Sequence, residues 1–268
     1  MRKLSGLCGA ELTGARLEGA GADVLDAARA ALFQHGVVTF PDQHLSPAAH
    51  LTFARHLGEI DVNRFFTPVE GYPEIAEVRT APDAKAVIGG TWHSDHSYDP
   101  APAMASVLNA RALPPYGGDT QFASQVAALN ALSPGLRGML AGLRAEHSDA
   151  SFAGSKLGLH ENTDAFRGAV THPVIIRHPQ SGVAALYVNG DFTTRFDGWT
   201  AEESAPLLRW LYAHCTQPVF CCRVAWRPGM VAVWDNRLVQ HYATADYAGH
   251  GRLMHRITVA GQPLARGV

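Results

Sequence analysis

Glycine and proline cut this chain into short pieces, and that punctuation constrains its fold more than any other feature. With 26 glycines and 16 prolines, apolar runs stay brief. In the last third, Phe220–Trp226, Met230–Trp234 and Leu253–Ala260 are apolar or alternating, the pattern of strands lying on a core. Arg227-Pro228-Gly229 makes the turn between the first two. Val37–Phe40, Ile75–Arg79, Met104–Arg111 and a start at Asp119–Phe122 read as strands too. Val174–His178 and Ala184–Val188 read as a pair around Pro179-Gln180-Ser181-Gly182. Helices fall between them. One covers Asp23–His35 and ends at Gly36; another opens at Ser46-Pro47 and stops at Gly58. Two short ones cover Ala127–Leu132 and Pro134–Leu143, the second capped by Ser133, and Thr200-x-x-Glu203 is a capping box that opens a fifth. Residues 61–73, Ala81–Gly90 and Asp149–Ala169 read as loops, the last having the length of a lid or binding loop. Many short strands, few helices, no repeat and no linker predict one domain over residues 1–268. That domain is mainly β with flanking α-helices, a barrel or jelly roll.

The net charge of −2 leaves no basic stripe and no polybasic tail, which argues against nucleic-acid and membrane partners. No apolar run approaches the length of a membrane span, and no signal-peptide core follows Met1. Cys8, Cys215, Cys221 and Cys222 make no Cys-x-x-Cys pair and read as packing residues in a reducing, cytoplasmic setting.

Chemistry concentrates in Thr91-Trp92-His93-Ser94-Asp95-His96. If that stretch is extended, His93 and Asp95 point to one side and supply two of three metal ligands. His241, just beyond the polar turn that ends Met230–Trp234, is the best third. Two histidines and a carboxylate on one face of an ion suit non-haem Fe(II) oxygenases. The bland alternative is a structural histidine bonded to a nearby aspartate. Asp235 and Asn236 read as turn-shaping residues. Arg252 and Arg256 lie four apart in a strand, so they share a face with Met254 between them. Facing inward, they call for anions, because a desolvated guanidinium costs several kcal/mol unless paired. Facing outward, they are ordinary surface arginines. Thr120 is either a hydroxyl for a carboxylate oxygen or simply a good strand residue. Trp92, Phe152 and Phe192 are pocket walls or core.

Taken together, these residues resemble the taurine dioxygenase branch of Fe(II)/2-oxoglutarate-dependent oxygenases, a family with a double-stranded β-helix (jelly-roll) fold. The similar stretches are Trp92-His93-Ser94-Asp95, Gly117-Gly118-Asp119-Thr120, Leu143-Arg144-Ala145-Glu146-His147, Val188-Asn189 with Phe192-Thr193-Thr194-Arg195, and Trp234-Asp235-Asn236-Arg237 followed by His241-Tyr242-Ala243. Asp246-Tyr247, Arg252 and Met254-His255-Arg256 continue the last. The resemblance implies Fe(II) on His93, Asp95 and His241, with 2-oxoglutarate held by Arg252 and Thr120 and O2 as co-substrate. It implies hydroxylation of a small anionic substrate, a sulfonate or carboxylate, with succinate and CO2 as co-products. Arg256 resembles the arginine that meets the substrate's anionic head, and Phe152 and Phe192 fall at pocket positions. It implies a homo-oligomer, dimer or tetramer. After Leu57-Gly58-Glu59, however, the His and Tyr of the taurine enzyme are replaced by Asn63 and Phe66, and His96 stands where that enzyme has an apolar residue. These departures put taurine itself in doubt and make Asn63, Phe66 and His96 candidate substrate contacts. A non-catalytic jelly-roll binder of an anionic ligand and a zinc hydrolase using the same three ligands stand as alternatives.

Overall fold

A computed structural model describes residues 1–150 and 168–267. Strands β1 (Arg2–Lys3) and β2 (Ala10–Glu11) lead to α1 (Ala22–His35), β3 (Val37–Phe40) and α2 (Pro47–Leu57). Next come β4 (Ile60–Asp61), β5 (Pro68–Val69), β6 (Tyr72–Thr80), β7 (Ala105–Ala112) and β8 (Thr120–Ser124). Helices α3 (Gln125–Asn130) and α4 (Pro134–Ala141) precede β9 (Arg144–Ser148), β10 (Ala169–Pro173), β11 (Ile175–Arg177), β12 (Ala184–Leu186) and β13 (Thr193–Phe196). Helix α5 (Ala201–Cys215) feeds β14 (Cys221–Val224), β15 (Val231–Asp235), β16 (Val239–Ala243), β17 (Arg252–Val259) and β18 (Ala265–Arg266).

The helix ends follow local chemistry. Ser46 accepts the Ala49 N–H, Ser133 accepts that of Leu136, and Thr200 and Glu203 form both halves of a capping box. Each such cap contributes about 1 kcal/mol. Gly36 ends α1 with φ 75°, a left-handed conformation that glycine adopts without strain.

The main sheet runs β1-β2-β3-β15-β7-β17-β6-β5, with β4 added beside β17. A three-stranded sheet, β14-β8-β16, holds the other strands of the site. Period-two alternation sorts the side chains of the main sheet. Val107 (β7), Val231 and Val233 (β15), and Ile257 and Val259 (β17) pack under α1 and α2 with Leu32, Phe40 and Phe53. The opposite face carries Leu108 and Ala110, Trp234, and Met254, and these pack with Phe122 of β8 and Val239 of β16. Arg252 and Arg256 have the parity of Met254, and both are buried. The inward-facing alternative is therefore the one realised. Helices α3 to α5 enclose a separate apolar cluster with β9 and β12.

The structure corrects the sequence reading in three places. Thr91–His96 is not a strand: His93 makes one isolated bridge with His241, and a turn follows from Asp95. His241 lies beyond the polar turn after β15 as expected, and it sits inside β16, opposite Phe122. Residues 61–73 are not all loop, since β5 and the start of β6 lie there. Arg144–Ser148, too polar to show apolar periodicity, is the central strand of a three-stranded sheet between β10 and β13.

Candidate metal centre and adjoining cavity

His93, Asp95 and His241 are brought together by two short backbone links. The His93 N–H donates to the His241 carbonyl at 3.1 Å, and the His241 N–H returns the bond at 2.9 Å. Reciprocal pairing sets the two imidazoles side by side, tilted by 45° with centroids 4.1 Å apart. The His93 Nδ1–H donates to the Thr91 carbonyl at 2.8 Å, which leaves the Nε2 lone pair free. His93 Nε2 stands 3.5 Å from Asp95 Oδ1, and His241 Nε2 stands 3.7 Å from the same oxygen. All three residues are buried, and their donor atoms lie within 4.8 Å of one another. Donors about 2.1 Å from a common ion stand roughly 3 Å apart, so a modest contraction would close the set around a metal.

The electrostatics suit that use. Burial pushes the Asp95 carboxyl up, but Arg256, His241 and His93 outweigh it and hold the group well below the usual carboxylate range. Burial and the neighbouring His93 hold His241 well below the ordinary imidazole value. For His93 burial acts downward, but Asp95 and the Thr91 carbonyl prevail and raise it. Ionised Asp95 and neutral His241 are the forms that bind metal.

Arg256 Nη2 is 3.0 Å from Asp95 Oδ2, close enough for an ion pair. Yet neither its Nε nor its Nη2 has a partner in hydrogen-bond geometry among the described residues. Arg252 is buried at 7% exposure, and its Nε and Nη2 are equally without partners there. Burial pulls its guanidinium below the ordinary value, with Tyr247 and Asp119 acting against that. A buried cation with open donors is costly unless an anion arrives. Beside it, Thr120 accepts the indole N–H of Trp226 at 3.0 Å, and the Trp226 ring lies 5.9 Å from the Arg252 Cζ. The sequence reading missed Trp226, which has no motif of its own.

A cavity of about 510 Å³ opens beside the three donors. His93, Asp95, Arg256, His96, Asn63 and Asp191 are its polar lining, and Phe65, Phe66, Val87, Ile88, Tyr98 and Phe192 its apolar walls. Of the expected substrate contacts, Arg256, Asn63, Phe66, His96 and Phe192 all border it; Phe152 lies outside the described residues. Trp92 does not line it and stacks instead on Tyr242 at 5.6 Å. Asn63 Oδ1 is spent on its own loop, accepting the N–H groups of Phe65 and Phe66, while Nδ2 has no partner among the described residues. His96 takes a left-handed conformation at φ 54°, and its Nδ1 meets Asp61 Oδ2 at 3.1 Å.

The residues present fit a divalent ion with open coordination positions and a dicarboxylate beside it. Comparison with known proteins agrees. The family described as taurine catabolism dioxygenase TauD, TfdA matches residues 1–258. An alpha-ketoglutarate-dependent sulfate ester dioxygenase of Pseudomonas putida is 34% identical over 270 residues, covering 97% of this chain and 88% of that one. An alpha-ketoglutarate-dependent 2,4-dichlorophenoxyacetate dioxygenase of Burkholderia sp. (strain RASC) is 33% identical over 249 residues, covering 85% and 83%. The crystal structure of a taurine dioxygenase from Burkholderia xenovorans aligns with a TM-score of 0.83 at 32% identity, over 97% of this chain and 90% of that one. The chain belongs to the TauD/TfdA family and is an Fe(II)- and 2-oxoglutarate-dependent dioxygenase with a jelly-roll fold.

Proposed function

We propose that a single domain holds Fe(II) through His93, Asp95 and His241 and grips 2-oxoglutarate through Arg252 and Thr120. The substrate is a small sulfonate, sulfate ester or carboxylate with its anionic head toward Arg256. One observation carries this reading: three metal donors lie within 4.8 Å of one another, two of them lining a cavity that also holds Arg256, while a second buried arginine keeps Nε and Nη2 without hydrogen-bond partners among the described residues. When bound, iron with 2-oxoglutarate and O2 supplies the oxidising power that turns a substrate C–H into C–OH, with succinate and CO2 as co-products. The chain's own residues bind, orient and exclude water. Arg252 offers paired donors to a carboxylate, which a lysine would not reproduce. Thr120 keeps its own proton to donate, because its oxygen already accepts from Trp226. Arg256 orients the substrate head, Asn63 Nδ2 and His96 add polar contacts, and Phe66 and Phe192 pack its body. Where the hydroxylated carbon bears oxygen, sulfur or nitrogen, the product collapses and that bond breaks.

The test begins anaerobically. Fe(II) and 2-oxoglutarate added to the apoprotein should give a weak visible charge-transfer band, lost in Asp95→Ala and weakened in Arg252→Ala. Sulfonates, sulfate esters and aryloxy carboxylates are then screened for succinate release. A folded protein with no band would sink the assignment of these residues. No observation favours the non-catalytic binder or the zinc hydrolase. The same reading takes the protein to be cytoplasmic, a dimer or tetramer, without nucleic-acid or membrane partners. Size-exclusion chromatography with light scattering checks its assembly. Among the described residues, no helix is long and apolar enough to cross a membrane.

A further inference from the structure

The second oxygen of Asp95, Oδ2, is held by a directed chain of hydrogen bonds. Ser106, fully buried on β7, donates its hydroxyl to Asp95 Oδ2 at 2.7 Å. The direction of every bond in the chain follows from groups that can only donate. The Trp234 indole N–H donates to Asn236 Oδ1 at 2.9 Å, and the Asp95 backbone N–H donates to the same oxygen at 3.3 Å. An indole and a backbone amide have no other option, so they fix which end of the Asn236 amide is oxygen. The Asn236 Nδ2 then faces Ser106 and donates to its Oγ at 3.4 Å. With its oxygen accepting, the Ser106 proton is left for the carboxylate. The strands supply the spacing: Ser106 of β7 sits directly opposite Trp234 of β15.

We propose that Ser106, oriented by Asn236 and Trp234, is a positioning residue that keeps Asp95 a one-oxygen metal ligand. Oδ1 faces the Nε2 atoms of His93 and His241, while Oδ2 is held by the Ser106 hydroxyl and lies beside the charge of Arg256. The consequence is a coordination count. A carboxylate that swung round to bind through both oxygens would take a position that 2-oxoglutarate or O2 needs. The inference rests on the proposed ligand role of Asp95.

The experiment measures Mn(II) affinity of the full-length apoprotein, by the electron paramagnetic resonance signal of free Mn(II), together with the visible spectrum of the Co(II)-loaded protein. Loss of a partner behind a metal ligand typically weakens metal binding about 10- to 100-fold. Ser106→Ala should weaken Mn(II) binding about 10-fold and shift the Co(II) spectrum. Ser106→Thr, which keeps the hydroxyl, should restore both. Trp234→Phe keeps the ring, removes the donor that orients Asn236, and should move both readouts less in the same direction; it serves if Ser106→Ala does not fold. Asp95→Ala separates the two levels. If it binds Mn(II) like the parent, the ligand assignment itself fails. If it loses Mn(II) while Ser106→Ala and Trp234→Phe match the parent in affinity and spectrum, only the positioning role is overturned.

Discussion

Two of the buried histidine–aspartate clusters among the described residues differ sharply: one is closed and the other is open. In the first, His178, Asp235 and Arg237 close on themselves. Asp235 accepts from Arg237 Nε at 2.9 Å, from the Arg237 backbone N–H at 2.9 Å and from His178 Nε2 at 3.0 Å. Ser181 completes the set, its N–H and hydroxyl meeting His178 Nδ1 at 3.0 and 2.8 Å. In the second, the His93 and His241 Nε2 atoms stand 3.5 and 3.7 Å from Asp95 Oδ1, longer than ordinary hydrogen bonds, and His241 Nδ1 has no partner among the described residues. Both sets are buried and charged. The difference lies in satisfaction: a cluster that consumes all its donors holds the fold together, and one that leaves donors unused is waiting for a ligand. Burial of titratable groups alone does not tell the two apart.

The largest expected effect breaks that comparison directly. Asp235→Ala strands two basic partners in the interior and should cost about 3–5 kcal/mol of stability in chemical denaturation. His241→Ala should cost about 1 kcal/mol or less while abolishing Mn(II) binding. Equal losses of stability would erase the distinction. Next, Arg252→Ala in the Mn(II)-loaded protein should weaken 2-oxoglutarate binding by about 2–4 kcal/mol, roughly 30- to 1,000-fold in Kd by calorimetry. An unchanged Kd would move the cosubstrate elsewhere.

Acid should act first on buried histidines outside both clusters. Burial pushes His172 down to about 4 and His50 down to about 3. A histidine whose folded value is depressed is fully stabilising above its unfolded value of about 6.5 and loses that contribution as pH falls toward its folded value. Each should cost up to about 1.4 kcal/mol per pH unit over that window. Asp235, where burial acts upward but Arg237 and His178 bring the carboxyl down to about 2, adds its own loss only below about 3.8. Denaturation from pH 7 to 4 should show a falling stability whose slope is shallower in His50→Leu. A flat profile in the parent would exclude this source of acid sensitivity. The smallest effect belongs to Ser181→Ala, which removes one exposed hydroxyl from the closed cluster and should cost about 0.5–1.5 kcal/mol with Mn(II) affinity unchanged.

Much of the candidate site was legible in the chain. Arg252 and Arg256 were readable from strand parity, because period two survives any change in how strands are arranged; the spacing of His93 and Asp95 named them as candidates, but the strand it assumed is only a single bridge. His241 and Thr120 were candidates from their places in the chain, and the family resemblance gave them roles. Trp226, Ser106 and Asn236 were read wrongly or not at all: a tryptophan at a strand end, a serine in an apolar run and an asparagine in a turn carry no pattern that marks them. Their roles arise from register, which sets Ser106 opposite Trp234 and Val224 opposite Thr120. Strand β9 was missed for the same reason, since a polar strand paired on both sides shows no apolar alternation.

By itself, then, the amino-acid order determined the elements with local causes: helix ends at Gly36, Ser46, Ser133 and Thr200, the short apolar strands, and the parity that turns both arginines to one face. Only the tertiary structure decided which buried cluster is closed and which is open. Whether Asp235 or Asp95 keeps an unused oxygen depends on partners outside the local pattern: His178 lies 57 residues before Asp235, and Ser106 lies 11 residues after Asp95, beyond a turn and on β7. Hydrogen bonds act over about 3 Å, so their satisfaction is settled by strand register and packing, which no local pattern encodes.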